Sequence, residues 1–190
     1  MATKHRPDAI ALLKADHRKV EGLFKQFEAS KSDSKKQALA KEICIELMVH
    51  ATIEEEIFYP ACKNKIEDNT LDEAYVEHDG AKILISEIAD SAPDNEFFDS
   101  KVHVLSELIK HHVGEEEARV EGMFAQAKAA GLDVEALGNR LAVRKAELLA
   151  QFKANGLPAP TTRSFTGHKL KQGSPISARS AAGDHAEAAE

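Results

Sequence analysis

The sequence predicts an all-α protein: an up-down-up-down four-helix bundle with an additional C-terminal helix and a disordered tail. Three observations lead there. The 190-residue chain is rich in Ala, Leu, Glu and Lys, with no Trp and only two Tyr, a balance that favours helix over sheet. Apolar residues recur at steps of three and four through most of its length. The breaks between those runs are short, which makes successive helices antiparallel neighbours. The length suits one domain with a real core and is too short for two.

The first helix opens near Pro7-Asp8, because Pro fits an early turn and Asp favours a helix N-terminus. Its apolar stripe is Ile10, Leu13, Val20, Phe24 and Phe27, and His17 fills the gap in that stripe. The polar run 30–36 is a loop and cap. A second helix runs from about Lys35 to Tyr59, with Leu39, Ile43, Leu47, His50, Glu54 and Ile57 on one face and Pro60 at its end. The third, from about Leu71 to Ala89, carries Leu71, Tyr75, His78, Ile85 and Ile88. The fourth, from about Glu96 to Ala130, carries Val102, Leu105, Ile109, His112, Glu116, Val120 and Met123, with Gly131 as a C-terminal cap. A fifth amphipathic helix, about Asp133 to Ala154, packs outside the bundle and stops at Gly156 and Pro158. These runs divide the chain into a bundle over 8–130, an appended helix over 131–156 and a tail over 157–190. The tail is rich in Pro, Ser, Gly and Ala and poor in large apolar residues, so disorder is expected there.

Charge and composition narrow the function. Lys and Arg number 25 against 32 Asp and Glu, a net charge of −7 at pH 7, which argues against a nucleic-acid partner. The N-terminus lacks the apolar run of a secretory signal, and no stretch approaches the roughly 18 apolar residues of a membrane span. A soluble cytoplasmic protein is the expectation. Cys44 and Cys62, if on one helix, are about 27 Å apart, too far for a disulfide, so buried free thiols are expected.

Two sets of polar residues interrupt the apolar stripes. His17 is followed after 33 residues by His50, with Glu54 four further on. His78 is followed after 34 residues by His112, with Glu116 four further on. Side chains at i and i+4 stack on one helix face, where imidazole and carboxylate can converge on one ion. One such histidine alone reads as a satisfied core residue, and Glu54 alone as part of a solvated acidic run. Six polar residues on stripes that each cover about a third of a helix have odds on the order of one in several hundred by chance. Buried without compensation they would be prohibitively costly, and a metal ion removes that cost.

The stretches DHRKVEGLF, HATIEEEIFYPA, EHDGAKIL and HHVGEEE resemble the hemerythrin-like (HHE) cation-binding family, whose order is His, His-x-x-x-Glu, His, His-x-x-x-Glu. The resemblance covers about residues 8–128. It implies a four-helix bundle around a non-haem iron centre, often two irons bridged by the carboxylates. By position it implies His17, His50, Glu54, His78, His112 and Glu116 as ligands. Oxygen-carrying members have a further histidine one turn after the third-helix one, and Lys82 stands there in this chain. His111 and Glu115 offer the same i+4 pair one residue earlier; Leu105, Ile109, Val120 and Met123 favour His112 and Glu116.

Further residues read as supporting ones. Tyr59 and Tyr75 are expected to pack in the core rather than to bond a ligand. Lys82 could steer anions or pair with a carboxylate, but is expected rather to snorkel outward. Glu55 and Glu56 face out or brace the ligands from behind. His103 falls on the surface and His5 in a frayed terminus, while His168 and His185 belong to the tail.

Imidazole and carboxylate together suit iron, zinc or manganese. The two-fold arrangement, with a carboxylate from each half placed to bridge, favours two irons. The expected function is therefore binding of, or reaction with, dioxygen, peroxide or nitric oxide, in stress response or iron handling. A peroxide-decomposing or ferroxidase-type enzyme and a metal-free helical interaction bundle are the alternatives.

Overall fold

A computed structural model describes residues 7–165 of the chain. The regular structure of the described residues is all helical, with no strand among them. Helices α1 (Ala9–Ala29), α2 (Asp33–Ile53), α4 (Asp68–Ala89) and α5 (Phe98–Glu117) form the four walls of a bundle. Contacts run α1 to α2, α2 to α4, α4 to α5 and α5 back to α1, so the ring is closed in chain order.

Local chemistry sets the starts. Asp8 caps α1 by accepting from the Ala11 amide at 2.8 Å, and Ser32 caps α2 by accepting from Lys35. Asp133 does the same for α7 (Val134–Asn155), accepting from Ala136 at 2.9 Å. Gly131 and Gly156 take positive φ values of 70° and 80° where chain segments turn, a region that suits glycine.

Helix α2 does not stop before Pro60. It passes through a π-helical turn, Glu54–Phe58, into a short α3, Tyr59–Cys62. The Tyr59 amide reaches back five residues to the Glu54 carbonyl, which inserts one extra residue into that turn. Pro60 then lies in the first turn of α3, where its missing N–H costs little.

The fourth expected helix is broken. α5 ends at Glu117, Ala118 turns extended, and α6 (Met123–Ala129) restarts after a five-residue gap. Val120, expected on the core stripe, is therefore 81% exposed. Gly122 allows the tight return: a Cβ there would meet the Ala118 carbonyl at 2.5 Å and the Glu116 carbonyl at 2.7 Å.

The fifth helix, α7, lies across α1, α2 and the π turn. α2 is thus covered on several sides, and residues such as Cys44, Ile45, Met48 and Val49 are buried beyond its expected stripe. Fully buried Phe58, Phe98, Leu13, Ile43 and Leu141 each contribute about 1.5–3 kcal/mol through apolar burial. Cys44 and Cys62 are free and buried.

After Gly156 the chain forms an irregular strap. The Arg163 and Ser164 amides and the Ser164 hydroxyl donate to Asp79 Oδ2 at 2.7, 2.6 and 2.7 Å. The Arg163 guanidinium sits 4.3 Å above the Tyr75 ring. Part of the segment expected to be structureless, 157–165, thus has specific contacts with α4. Residues 166–190, with His168 and His185, lie outside the described residues, as does His5.

Candidate metal centre

All six residues singled out on the apolar stripes meet in the middle of the bundle. His17 comes from α1, His50 from α2, Glu54 from the π turn, His78 from α4, and His112 and Glu116 from α5. None is more than 6% exposed. Ligand atoms of His17, His50, Glu54 and Glu116 lie within 4.8 Å of one another, and so do those of Glu54, His78 and His112. Glu54 belongs to both groups. Its Oε2 is 3.1 Å from His50 Nε2 and 3.4 Å from His78 Nε2.

Each imidazole faces inward through Nε2 and outward through Nδ1. Behind His17, Nδ1 meets Glu117 Oε1 at 2.8 Å, and behind His78 it meets Glu55 Oε1 at 3.0 Å. His112 Nδ1 meets Glu77 Oε2 at 2.8 Å. His50 Nδ1 faces Asp16 Oδ2 at 3.6 Å, beyond hydrogen-bond reach. A carboxylate behind a ring fixes its tautomer and raises the basicity of the inner nitrogen. The anions are themselves held: Glu117 by Arg18 at 2.6 Å and Lys14 at 3.3 Å, Asp16 by Lys145, and Glu55 by Lys82 at 2.7 Å. Against the cost of burial, the histidines in front of them hold the carboxyls of Glu117, Asp16, Glu55 and Glu77 below the usual range, and the neighbouring cations add to this for the first three.

This donor set suits a cation. With Nδ1–H turned to a carboxylate, Nε2 carries a lone pair. The inner nitrogens of His17 and His50 are 3.1 Å apart, and those of His78 and His112 are 3.2 Å apart. Lone pairs that close repel unless a proton or a cation lies between them. Glu54 Oε1 and Glu116 Oε2 are buried acceptors with no hydrogen-bond partner, and each such orphan costs about 1–3 kcal/mol. In the metal-free chain protons take up part of the load. Burial lowers the affinity of His50 for a proton, but Glu54, Asp16 and Glu116 raise its pKa to about 10. His78 is likewise raised, against burial, to about 9 by Glu54 and Glu55. Glu54 is pushed well below its usual range by His50 and His78, again against burial.

Several residues around the centre escaped the pattern in the sequence. Tyr59 is 1% exposed, and its hydroxyl reaches His78 Nε2 at 3.1 Å, Glu116 Oε1 at 3.3 Å and Glu54 Oε2 at 3.5 Å. It does more than fill the core. Burial, then Glu54 and Glu116, keep its hydroxyl protonated well above the ordinary tyrosine range. Phe124 of α6 stacks on His17 at 5.9 Å and closes one end. Lys82 does not snorkel: it is 6% exposed, held by Glu55 and, at 3.2 Å, by Asp79. Two neighbouring carboxylates offset part of the cost of burying the ammonium. Glu56 does face out, where Arg144 grips it with two bonds of 2.7 and 3.0 Å.

Of the two registers on α5, His112 and Glu116 point inward, while the side chains of His111 and Glu115 are 65% and 46% exposed. His103 is on the surface, 63% exposed. Beside the four imidazoles lies a chamber of about 20 Å³, room for about one water-sized molecule. Val20, Leu47, Ala81, Ile85, Ile109 and Val113 give it an apolar wall, and Lys82 and Asp16 border it.

Fold and site together define a helical bundle with a buried His/Glu centre built to hold cations. The model of the hemerythrin HHE cation binding domain matches residues 8–124, and the chain belongs to that family. A protein named DNA nickase from Nostoc sp. is 30% identical over 107 residues, 56% of this chain. The chain spans 30% of that protein's length. A hemerythrin HHE cation binding domain-containing protein from Mycobacterium kansasii has the same fold, with a TM-score of 0.65 at 21% identity. That match covers 80% of this chain and 95% of the other. Among the described residues no helix is long and apolar enough to cross a membrane.

Proposed function

We propose that the chain binds two non-haem irons through His17, His50, Glu54, His78, His112 and Glu116, and uses them to bind or transform a small oxidant or gas. Dioxygen, peroxide and nitric oxide are the molecules of the right size. The observation that carries this reading is Glu54, a fully buried carboxylate shared by two groups of inward-facing imidazoles. Zinc in a closed structural site would need four ligands and no such sharing. When bound, an iron pair supplies redox chemistry and coordination positions for a diatomic ligand.

The chain's own residues define what those positions are for. Lys82 stands where oxygen-carrying relatives have a histidine, and an ammonium has no lone pair to give. The centre therefore has one imidazole fewer, next to a chamber of diatomic size. Tyr59, which does not line the chamber, brings a hydroxyl proton to His78 Nε2 and Glu116 Oε1. A position without its imidazole, and a proton donor at the same centre, favour reaction over reversible carriage, in a role such as peroxide defence or iron handling.

Metal analysis of the full chain from iron-supplemented cells, with an optical spectrum, tests this. Two irons per chain and an oxo-bridged di-ferric band are expected, and His50→Ala or Glu54→Ala should lower the iron content. Only trace iron, or unchanged iron in both variants, overturns the reading. Turnover of peroxide by the loaded chain separates reaction from carriage, and a stable, reversible oxygen adduct would reverse that preference.

A further inference from the structure

The buried centre takes one of the two i+4 pairs that His111-His112 begins, and leaves His111 and Glu115 on the outside. There they face Glu77 of α4. His111 Nε2 is 3.1 Å from Glu115 Oε1 and 3.4 Å from Glu77 Oε1. One ligand atom from each of the three lies within 4.8 Å of the others. Glu77 is shared, because its other oxygen accepts from His112 Nδ1 at 2.8 Å. The outer trio therefore adjoins the ring of a residue in the buried centre.

A cleft of about 290 Å³ runs from Glu77 and Glu115 to residues of the buried centre, and His111 stands outside its lining. Its walls carry Glu67, Glu73, Glu77, Glu115 and Glu121, with no Lys or Arg among the residues that line it. Its floor reaches His112 and Glu116. Glu116 is 2% exposed, and its Oε2, an acceptor without a hydrogen-bond partner, is turned to the buried centre, 3.3 Å from His17 Nε2. A cleft lined by one sign of charge concentrates counter-ions and speeds their arrival.

We propose that Glu77, His111 and Glu115 form an outer divalent-cation site that captures ions and passes them down the acidic cleft to the buried centre. Mixed imidazole and carboxylate ligation suits first-row divalent metals. Three side chains, two of them largely exposed, leave the remaining positions to water, so a captured ion can leave quickly. A transfer site needs that property and a storage site does not. The outer site stands on its own residues; the transfer rests on the buried centre proposed above.

The test uses the metal-free full chain and its His111→Ala, Glu115→Gln and His50→Ala variants. Zn²⁺ titration by calorimetry should show a weak class of one ion per chain that His111→Ala and Glu115→Gln lose and His50→Ala keeps. Anaerobic Fe²⁺ uptake, followed by stopped flow at low iron, should slow about tenfold in His111→Ala and Glu115→Gln without loss of final stoichiometry. If both variants titrate like the parent, the outer trio is a surface ion pair and the site is overturned. If the weak class disappears but uptake keeps its rate, the transfer is overturned and the site stands. If the parent shows the weak class and no buried class, the failure belongs to the buried centre.

Discussion

Four anions stand behind four imidazoles, and three of them are within bonding distance. Glu117 is the simplest of these to test, since it meets the centre only through His17 and lines neither the chamber nor the acidic cleft. Replacing Glu117 by Ala should leave all six inward residues in place and still lower metal affinity about 10–100-fold, because His17 loses its orienting partner. Competition with a chelator of known affinity measures this, and Arg18→Ala, which takes a cation from Glu117 and Glu21 but leaves the Glu117–His17 contact, should have a smaller effect. The thiols behave in the opposite sense. Burial pushes the Cys44 thiol up to about 12 from its usual 9.0. The unfolded chain then loses this proton at lower pH than the folded one, so its contribution to stability falls as pH rises from about 9 toward 12. At pH 8 both cysteines should react slowly with a thiol reagent and quickly once urea unfolds the chain. The six inward residues were legible because each one interrupts an apolar stripe. Glu117, Asp16 and Glu77 were not, since nothing in a helical pattern distinguishes a carboxylate behind an imidazole from one in water. Lys82 was misread for a related reason: the anions that make its burial affordable, Glu55 and Asp79, come from other turns and other helices.

At the scale of elements, one extra residue decides what faces the centre. In an uninterrupted α-helix Phe58, four after Glu54, would share its face. The π turn gives that place to Tyr59, five after Glu54, and so brings a hydroxyl where a phenyl ring would have been. Regular periodicity could not reveal this, which is why Tyr59 read as core packing. The break after α5 has a similar effect. It ends the stripe at Glu116, throws Val120 into solvent and lets α6 bring Phe124 against His17. Gly122 makes that break possible. Gly122→Ala would drive a methyl group into backbone atoms of Ala118 and Glu116 at 2.5–2.7 Å, and backbone cannot swing aside as a side chain can. A loss of about 1–3 kcal/mol is expected in urea unfolding. Weaker metal binding should accompany it, because the same shift displaces Glu116 and Phe124. Unchanged stability would mean that the chain at 118–122 yields freely. Helix starts fared better in the sequence than helix ends, since Asp8, Ser32 and Asp133 announce their caps through a single side chain.

At the scale of the molecule, the four-helix ring is held from outside. α7 reaches the centre indirectly, through Lys145 to Asp16 and Arg144 to Glu56, and it packs so closely that a Cβ on Gly138 would lie 2.5 Å from the Pro7 carbonyl. The five long helices and their order were legible from periodicity and breaks, while the short α3 and α6 were not. The strap was not, because a short segment with two Pro and only scattered apolar residues carries no periodic pattern, and its hydrogen-bond anchor is one buried carboxylate. Asp79 is 1% exposed and takes three strap donors together with Lys82, which in turn holds Glu55 behind His78. Cutting the chain after Gly156 removes those donors and leaves a buried carboxylate with Lys82 alone. Hydrogen bonds to a charged group are worth about 1.5–3 kcal/mol each, with overlap among three on one oxygen, so a loss of about 2 kcal/mol is expected. Cutting after Phe165 keeps the strap and should cost much less. Asp79→Ala should destabilise the full chain but add little to the shorter one, since both changes remove the same bonds. Additive losses in urea unfolding of the four combinations would show that the strap and Asp79 stabilise the bundle independently.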